Sequence, residues 1–388
     1  MKYSLKNRRK SLEVSIGALG IGGNNPIRVQ TMTNTDTLDI FGTVNQITKC
    51  VKKGAELVRI STRTLKDIEA FKKIKEELSK KKIYVPLIAD VHFVPEVAFE
   101  ALKCADKVRI NPGNFLDRKT FKNIDFSNKS YKEELKRLED GFHPFIKAAK
   151  KAQKPLRIGA NHGSLSDRIL SMFGDTPRGM VESVMEYLRL FKKHDFNQII
   201  VAIKASDPLI MIDSNRLMVK MMDEEKMNFP LHLGVTESGN ADSGRVKSTI
   251  GIGTLLMEGI GDTVRVSLTE EPEKEVSLAY DILQSTHRRI TKTEFISCPS
   301  CARTLFDIEK VTNEVKKKLG NYKGIKIAIM GCSVNGLGEM ADSDFAYIGG
   351  KKGKVNLYYK RKLIKNDVDQ SEALNELENI VKDKTKKY

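Results

Sequence analysis

Three cysteines towards the C-terminal end of the chain carry its clearest chemical signal. Cys298-Pro299-Ser300-Cys301 is followed further along by Met330-Gly331-Cys332-Ser333-Val334-Asn335-Gly336-Leu337-Gly338-Glu339. Thiolates are the ligands that iron–sulfur clusters and zinc ions demand. A C-x-x-C pair presents two sulfurs from a single turn. The third cysteine follows an apolar run, residues 325–330, and sits in a glycine-rich turn where backbone can approach a bulky inorganic core without Cβ clashes. Three thiolates leave a fourth position open, and an open position is where substrate chemistry can occur. From the pattern alone the alternatives are a cluster, half of a structural zinc site, or a plain dithiol. His287 lies nearby and no histidine follows Cys298, so a Cys3His zinc site lacks a donor on that side and the cluster reading leads.

A second set of chemistry-bearing residues lies upstream, at regular intervals. Short β-rich runs occur at 27–33, 57–61, 83–90, 107–111, 156–160, 198–204, 231–236 and 263–268. Segments with helical spacing separate them, among them 65–78, 133–152, 178–193, 215–226, 243–258 and 273–283. Eight strand-then-helix units predict a (β/α)8 TIM barrel, with a doubly wound parallel sheet as the structural alternative. The strand ends then matter most. They bring Thr33 to Asp36, Arg59, Asp90 with His92, Arg109 with Asn111, and Arg157 with Asn161 and His162. The later ones add Lys204 with Ser206, Thr236 with Glu237, and Arg265 with Ser267.

In a barrel these residues converge on the face that carries active sites. Five cationic side chains (Arg59, Arg109, Arg157, Lys204 and Arg265) with hydroxyl and amide groups among them suit a phosphate or diphosphate. Arginine forks pair bidentately with phosphate oxygens, and lysine adds a mobile point charge. Gly251-Ile252-Gly253 and Gly259-Ile260-Gly261 flank the eighth run, near where barrels often hold phosphates. His92, His162 and His232 read as hydrogen-bonding partners rather than metal ligands. Glu237 is the acidic group at this mouth and a candidate proton donor.

Composition sets the limits. The chain has 388 residues, 40% of them hydrophobic, and no apolar run of the ~18 residues a membrane span requires. MKYSLKNRRK is basic but leads into no apolar signal core, so a bacterial cytoplasmic location is expected. Five cysteines in sparse spacing argue for a reducing compartment rather than a disulfide framework. The formal charge of +17 favours anionic partners. Many lysines only solvate helix faces, however, and without an arginine–aromatic stripe or any Trp, nucleic-acid binding is not expected.

The barrel is expected over 1–284, followed by a polar linker, 285–297, and a small α+β iron–sulfur domain, 298–388. In that domain the C-x-x-C opens a helix over 304–319, and a strand over 326–330 runs into the third-cysteine turn. A hairpin (345–348 with 355–359) turns through GGKKGK, and an amphipathic helix, 370–382, closes the chain.

CPSCART and MGCSVNGLGE, together with VQTMTNTDT near the start, make the chain resemble the 4-hydroxy-3-methylbut-2-enyl diphosphate synthase family of the methylerythritol phosphate route to isoprenoids. The likeness runs from about Gly22 to Tyr359. It implies a barrel that binds 2-C-methyl-D-erythritol 2,4-cyclodiphosphate and opens and dehydroxylates it with two electrons. It also implies a [4Fe-4S] cluster held by residues matching Cys298, Cys301, Cys332 and Glu339. A carboxylate is a harder, weaker ligand for iron than thiolate, so a substrate oxygen can displace it. Family diphosphate contacts match Arg109, Arg157, Asn161, Lys204, Thr236, Arg265 and Ser267, with Arg59 beside them, and the proton donor matches Glu237. Reduced ferredoxin or flavodoxin would supply electrons. Both are acidic, and the basic surface would steer them over a screening length of about 8 Å at physiological ionic strength.

NHGSLSDRIL and VTESGNADSGR look like the plastid-type branch, whose members usually carry an extra middle domain. The short stretch between Gln284 and Cys298 leaves no room for one here. Two-domain relatives form homodimers in which one subunit's cluster domain closes over its partner's barrel, so a homodimer is expected. The rivals are a different iron–sulfur enzyme and a zinc-stabilised nucleic-acid-binding module. No C-x-x-x-C-x-x-C triad supports a radical S-adenosylmethionine enzyme, and Cys50 and Cys104 fall on helical segments as core thiols.

Overall fold

The structure, a computed structural model, describes residues 5–117 and 128–385. The chain divides into two compact units, Met1–Arg289 and Ile290–Tyr388. Among the described residues no helix is long and apolar enough to cross a membrane.

The first unit opens with a hairpin, β1 (Val14–Ile16) and β2 (Leu19–Ile21). The barrel strands follow: β3 (Arg28–Met32), β4 (Leu57–Ser61), β5 (Leu87–Asp90), β6 (Lys107–Ile110), β7 (Leu156–Asn161), β8 (Ile199–Lys204), β9 (His232–Leu233) and β10 (Thr263–Val264). All eight are parallel in the order β8-β7-β6-β5-β4-β3-β10-β9, and a bridge from Val201 to Leu231 joins the two ends. This is the expected barrel, not a doubly wound sheet. Parallel strands covered on both faces show near-continuous apolar runs, which is why composition marked them. β9 and β10 are only two residues long, shorter than the β-rich runs around them. The flanking residues remain largely buried without laddered pairing, and burial rather than hydrogen bonding is what β-rich composition reports.

Helix starts follow local chemistry. Thr64 and Asp67 form a reciprocal capping box on Leu65–Lys80, and Asp39 caps Ile40–Lys52. Asp207-Pro208 starts the helix Pro208–Glu224 well before residue 215, where apolar spacing alone placed it. Proline is preorganised for a first helical turn and loses no bond there.

The second unit is a five-stranded sheet in the order β11 (Glu294–Ser297), β12 (Lys326–Met330), β13 (Phe345–Lys351), β14 (Lys354–Tyr359), β15 (Lys362–Asp369). The first three are parallel and the last two return antiparallel. β11 lies within the stretch read as a linker. The helix expected from residue 304 begins at Ile308, where the Asp307 side chain accepts from the Lys310 amide. β15 extends the expected hairpin to three strands. It is mostly exposed and lysine-bearing, as suits an edge that must not recruit another chain. Helices Ile308–Leu319 and Gln370–Thr385 pack Val315, Leu319, Leu377 and Val381 against Ile327, Ile329 and Leu357.

The hairpin β1–β2 closes the lower end of the barrel. Val14, Ile16 and Ile21 form a fully buried cluster with Leu57, Ile88 and Ile200. Deleting a buried aliphatic side chain loses its transfer free energy and leaves a cavity, so Ile16→Ala should lower the barrel's stability by about 3 kcal/mol. The check is the denaturant midpoint of the barrel's unfolding transition.

Candidate active site

Alternation along the strands sends every second side chain into the barrel. On β6 these are Lys107 and Arg109; on β7, Arg157, Gly159 and Asn161; on β8, Ala202 and Lys204. Arg109 stands opposite Arg157, and Asn161 opposite Lys204. With Met32, Arg59, Asp90, His92, Thr236 and Arg265 they line a cavity of about 220 Å³. Arg59, Arg109, Arg157, Asn161, Lys204, Thr236 and Arg265, all singled out by the strand-end pattern, thus meet in one place. Glu237 and Ser267 stand outside this lining: Glu237 is exposed with a left-handed backbone (φ 51°), and Ser267 is half-buried.

The basic side chains are deeply buried, with exposures of 0% for Arg157 and Lys107, 2% for Arg109, 5% for Lys204 and 8% for Arg59. Their counter-charges are few. Asp90 accepts from Arg109 Nη1 at 3.1 Å, lies 3.7 Å from Arg59 Nε, and has His92 Nε2 at 3.4 Å. Glu275 accepts from Arg265 at 3.4 Å, from the Leu268 amide at 2.8 Å and from Thr31 at 3.3 Å. Arg59 otherwise rests on the Met32 sulfur at 2.9–3.1 Å. Among the described residues, five cations (Arg59, Arg109, Arg157, Lys204, Arg265) therefore face two carboxylates, with the Lys107 amine beneath them.

Among the described residues, several buried donors have no protein partner: Nε and Nη1 of Arg157, Nζ of Lys204, and Nε of Arg109 and Arg265. Buried polar groups are normally satisfied, so these donors point to an absent acceptor. Burial, reinforced by neighbouring cations, pushes Arg157 and Lys204 well below their ordinary values and Arg59 down to about 10. Burial pushes Asp90 the other way, but Arg59, Arg109 and His92 outweigh it and hold the carboxyl well below the usual range. A polyanion in the cavity would relieve all of these strains together.

Two glycines that strand-end reading passed over make room for this geometry. A Cβ at Gly234 would lie 2.7 Å from Lys204 Nζ and 2.5 Å from the Arg265 carbonyl. One at Gly159 would lie 3.0 Å from Arg109 Nε. Both fall on the inward alternation, the signal that could have found them. The other glycine segments do not serve as a phosphate cradle. Gly251 and Gly253 lie inside the helix Ala241–Met257, and Gly259 and Gly261 precede β10, at its end remote from the mouth. Their smallness serves packing: a Cβ would strike Val235 at Gly251, the Asn7 carbonyl at Gly259 and Leu233 at Gly261. Of the histidines, His92 joins the Asp90 network, His162 meets Asp175 at 3.0 Å, and His232 bonds Thr263 inside the barrel at 2.5 Å. Asn111 donates to Ser164 at 2.9 Å and ties the loops after β6 and β7 together.

The thiols form a separate site in the second unit. Ser297 on β11 stands opposite Ile329 on β12, so Cys298 and the Gly331-Cys332 turn leave the same end of the sheet. The Gly331 amide donates to Cys298 Sγ at 3.2 Å. The Cys301 amide donates to the Thr304 hydroxyl at 3.0 Å, and Cys301 is exposed. The Arg303 amide, then Thr304, lower the Cys301 thiol below its ordinary value. Gly331 and Gly349 allow this turn to close, since Cβ atoms there would meet Thr304 at 2.7 Å and the Gly331 carbonyl at 2.4 Å. Glu339 ends the short helix Ser333–Glu339, exposed.

Among the described residues no three His, Cys, Asp or Glu side chains converge on one metal ion. A cubane cluster spreads its protein ligands over different irons, and amide N–H groups directed at sulfur are among the devices that tune it. Three free thiols on glycine-permitted turns, one already accepting such a bond, fit that group. Cys50 and Cys104 are elsewhere. Burial pushes Cys50 up to about 12 and also raises Cys104, as in ordinary core thiols.

The Asp90 network carries a pH consequence. A carboxyl depressed in the folded state stabilises the fold fully above its unfolded value, near 3.8, and loses that contribution as pH falls through the lower folded value. Asp90→Asn should remove this acid-side stability and destabilise the ligand-free barrel by about 3 kcal/mol, because the buried Arg59 and Arg109 lose their counter-charge. Unfolding midpoints measured as a function of pH, with and without inorganic diphosphate, test both.

Comparison with known proteins follows the same lines. A family model for the GcpE TIM-barrel domain matches residues 11–280, and one for the GcpE protein C-terminal domain matches residues 294–383. The chain is 47% identical to a 4-hydroxy-3-methylbut-2-en-1-yl diphosphate synthase (ferredoxin) of Synechococcus sp., over 97% of this chain and 94% of that protein. Similar matches are the proteins of the same name from Prochlorococcus marinus, 47% identical over 98% of this chain and 94% of that one, and from Gloeothece citriformis, 45% identical over 97% and 93%. Two consecutive domain matches and near-full-length identity at this level place the chain in the GcpE family, to which it belongs.

Proposed function

We propose that this chain converts 2-C-methyl-D-erythritol 2,4-cyclodiphosphate into 4-hydroxy-3-methylbut-2-enyl diphosphate. The observation that carries the proposal is Arg157, wholly buried at the cavity with two N–H groups that lack an acceptor. The reaction consumes two electrons and two protons, breaks a ring C–O bond to the diphosphate, and releases one hydroxyl as water. The product keeps the diphosphate, so a site that grips it throughout suits both ends of the reaction.

Each residue has a defined part. Arg109, Arg157, Lys204 and Arg265 neutralise the diphosphate, with Arg59 alongside, while Asn161, Thr236 and Ser267 orient its oxygens. Among side chains this deeply buried, donors fixed before substrate arrives act without reorganisation, and each is worth more than it would be in water. Asp90 and Glu275 hold the guanidinium groups in place. Glu237, exposed beside the mouth, serves as proton donor to the departing hydroxyl. Cys298, Cys301, Cys332 and Glu339 would hold a [4Fe-4S] cluster, which when bound supplies electrons singly. Those electrons come from a small acidic carrier, ferredoxin by analogy with the relatives' name or flavodoxin. The active form is a homodimer working in a reducing cytoplasm, where the five free thiols persist.

Iron, acid-labile sulfide and zinc per chain after anaerobic purification, together with turnover of the cyclic diphosphate, test the proposal. About four irons and four sulfides are expected; stoichiometric zinc with no reconstitutable cluster would break it. Glu339→Ala should keep bound iron but lose most turnover, and full activity would remove Glu339 from the ligand set. Glu237→Gln should lower kcat by roughly 10²–10⁴ with KM little changed, the usual range for losing a proton donor. A selective rise in KM would assign Glu237 to binding instead.

A further inference from the structure

Below the cavity lies a charged residue that the proposed chemistry leaves unused. Lys107 is wholly buried, and among the described residues its Nζ has one hydrogen-bond partner, Gln30 Oε1, at 3.5 Å. Among the described residues no carboxylate acts on it: Arg157 of β7 and Arg59 of β4 both repel its charge. Its partner across the ladder on β5 is the apolar Ile88, and β9 adds only His232, fully buried with Nε2 unpartnered. Water cannot readily enter from beneath, because the β1–β2 hairpin seals that end with Val14, Ile16 and Ile21 against Leu57, Ile88 and Ile200. The surroundings of Lys107 thus communicate with solvent through the mouth that the ligand fills.

An ammonium placed among like charges, away from water, is costly, and lysine escapes by releasing its proton. Burial, then Arg157 and Arg59, accordingly push it well below its ordinary value. Filling the cavity with a polyanion reverses the field. Resting on the anion-site reading above, we propose that Lys107 is an occupancy-linked proton acceptor: neutral while the mouth is empty, it takes a proton from solvent as a diphosphate enters. The charge matching the ligand is then completed at the moment of binding, and the ligand-free barrel is spared a further buried cation. Lys107 acts on the diphosphate through Arg157 without touching it, which makes it a positioning residue. By linkage, proton uptake on binding means that affinity falls as pH rises through the interval between its empty and occupied values. A more highly charged phosphate ester gains more from this residue than a monoester does.

The test is calorimetric titration of inorganic diphosphate into the full-length protein at mildly alkaline pH, in Tris and in HEPES. The difference in apparent enthalpy gives the protons exchanged per anion bound. Proton release by the diphosphate itself is common to all variants and cancels in their comparison. Relative to wild type, Lys107→Met should take up fewer protons and bind about tenfold more weakly, the equivalent of one unit of linkage. Its melting temperature without ligand should be no lower, since no ion pair is lost. Lys107→Gln should show the same loss of uptake and guards against a packing defect in the Met variant. His232→Gln should keep the wild-type uptake. Unchanged uptake in both Lys107 variants would overturn the proposal, as would a loss confined to His232→Gln. Failure of wild type to bind diphosphate at all would instead refute the anion site on which the inference rests.

Discussion

Charge that the protein itself does not neutralise governs the first unit of this structure. Five cationic side chains converge inside the barrel above the Lys107 amine, with only Asp90 and Glu275 among the described residues to answer them. Each uncompensated buried ion costs on the order of a few kcal/mol, so such an arrangement survives only when the rest of the domain over-determines it. The barrel meets that demand with a closed parallel sheet, a continuous apolar layer between strands and helices, and a sealed lower end. The strain held in the empty mouth is what a diphosphate relieves on binding, so affinity and scaffold stability are two views of one electrostatic fact.

Small residues are as necessary here as charged ones. Lys204 reaches the cavity because position 234 has no Cβ, and the Arg109 and Arg157 guanidinium groups lie side by side because position 159 has none. The same principle recurs in the second unit, where Gly331 and Gly349 let the turn carrying Cys332 close beside Cys298. Adding a methyl group at these positions would have chemical consequences elsewhere, through the side chain that now takes up the space.

The two units express different solutions to positioning reactive groups. In the barrel, rigid strand ends aim long cationic side chains inward, and the hydrogen bonds they donate to Asp90, Glu275 and Met32 fix where the forks point. In the second unit short thiol side chains depend on the backbone itself: parallel strands β11 and β12 bring two turns to one sheet end, and amide groups are directed at sulfur. Arginine needs a partner to lose its rotamer freedom, whereas cysteine needs only the right turn.

Much of this was legible in the sequence because it depends on local pattern. Eight β-rich runs separated by helical periodicity identify the barrel, and the residues at their ends identify an anion site, since a parallel barrel brings all its strand C-termini to one face. The spacing of Cys298, Cys301 and Cys332 likewise marks a thiol site without reference to the fold. What sequence could not decide depends on distance and burial. It could not show that Gly251 and Gly259 serve packing while Gly159 and Gly234 serve the site, because only the three-dimensional neighbours of a missing Cβ distinguish them. It marked Lys107 only as a residue of a β-rich run, because the loss of water and the approach of Arg157 are properties of the closed barrel. Residue type and period determined which groups are present and which way they point; tertiary structure decided which of them are dry, which are paired, and which still await an anion.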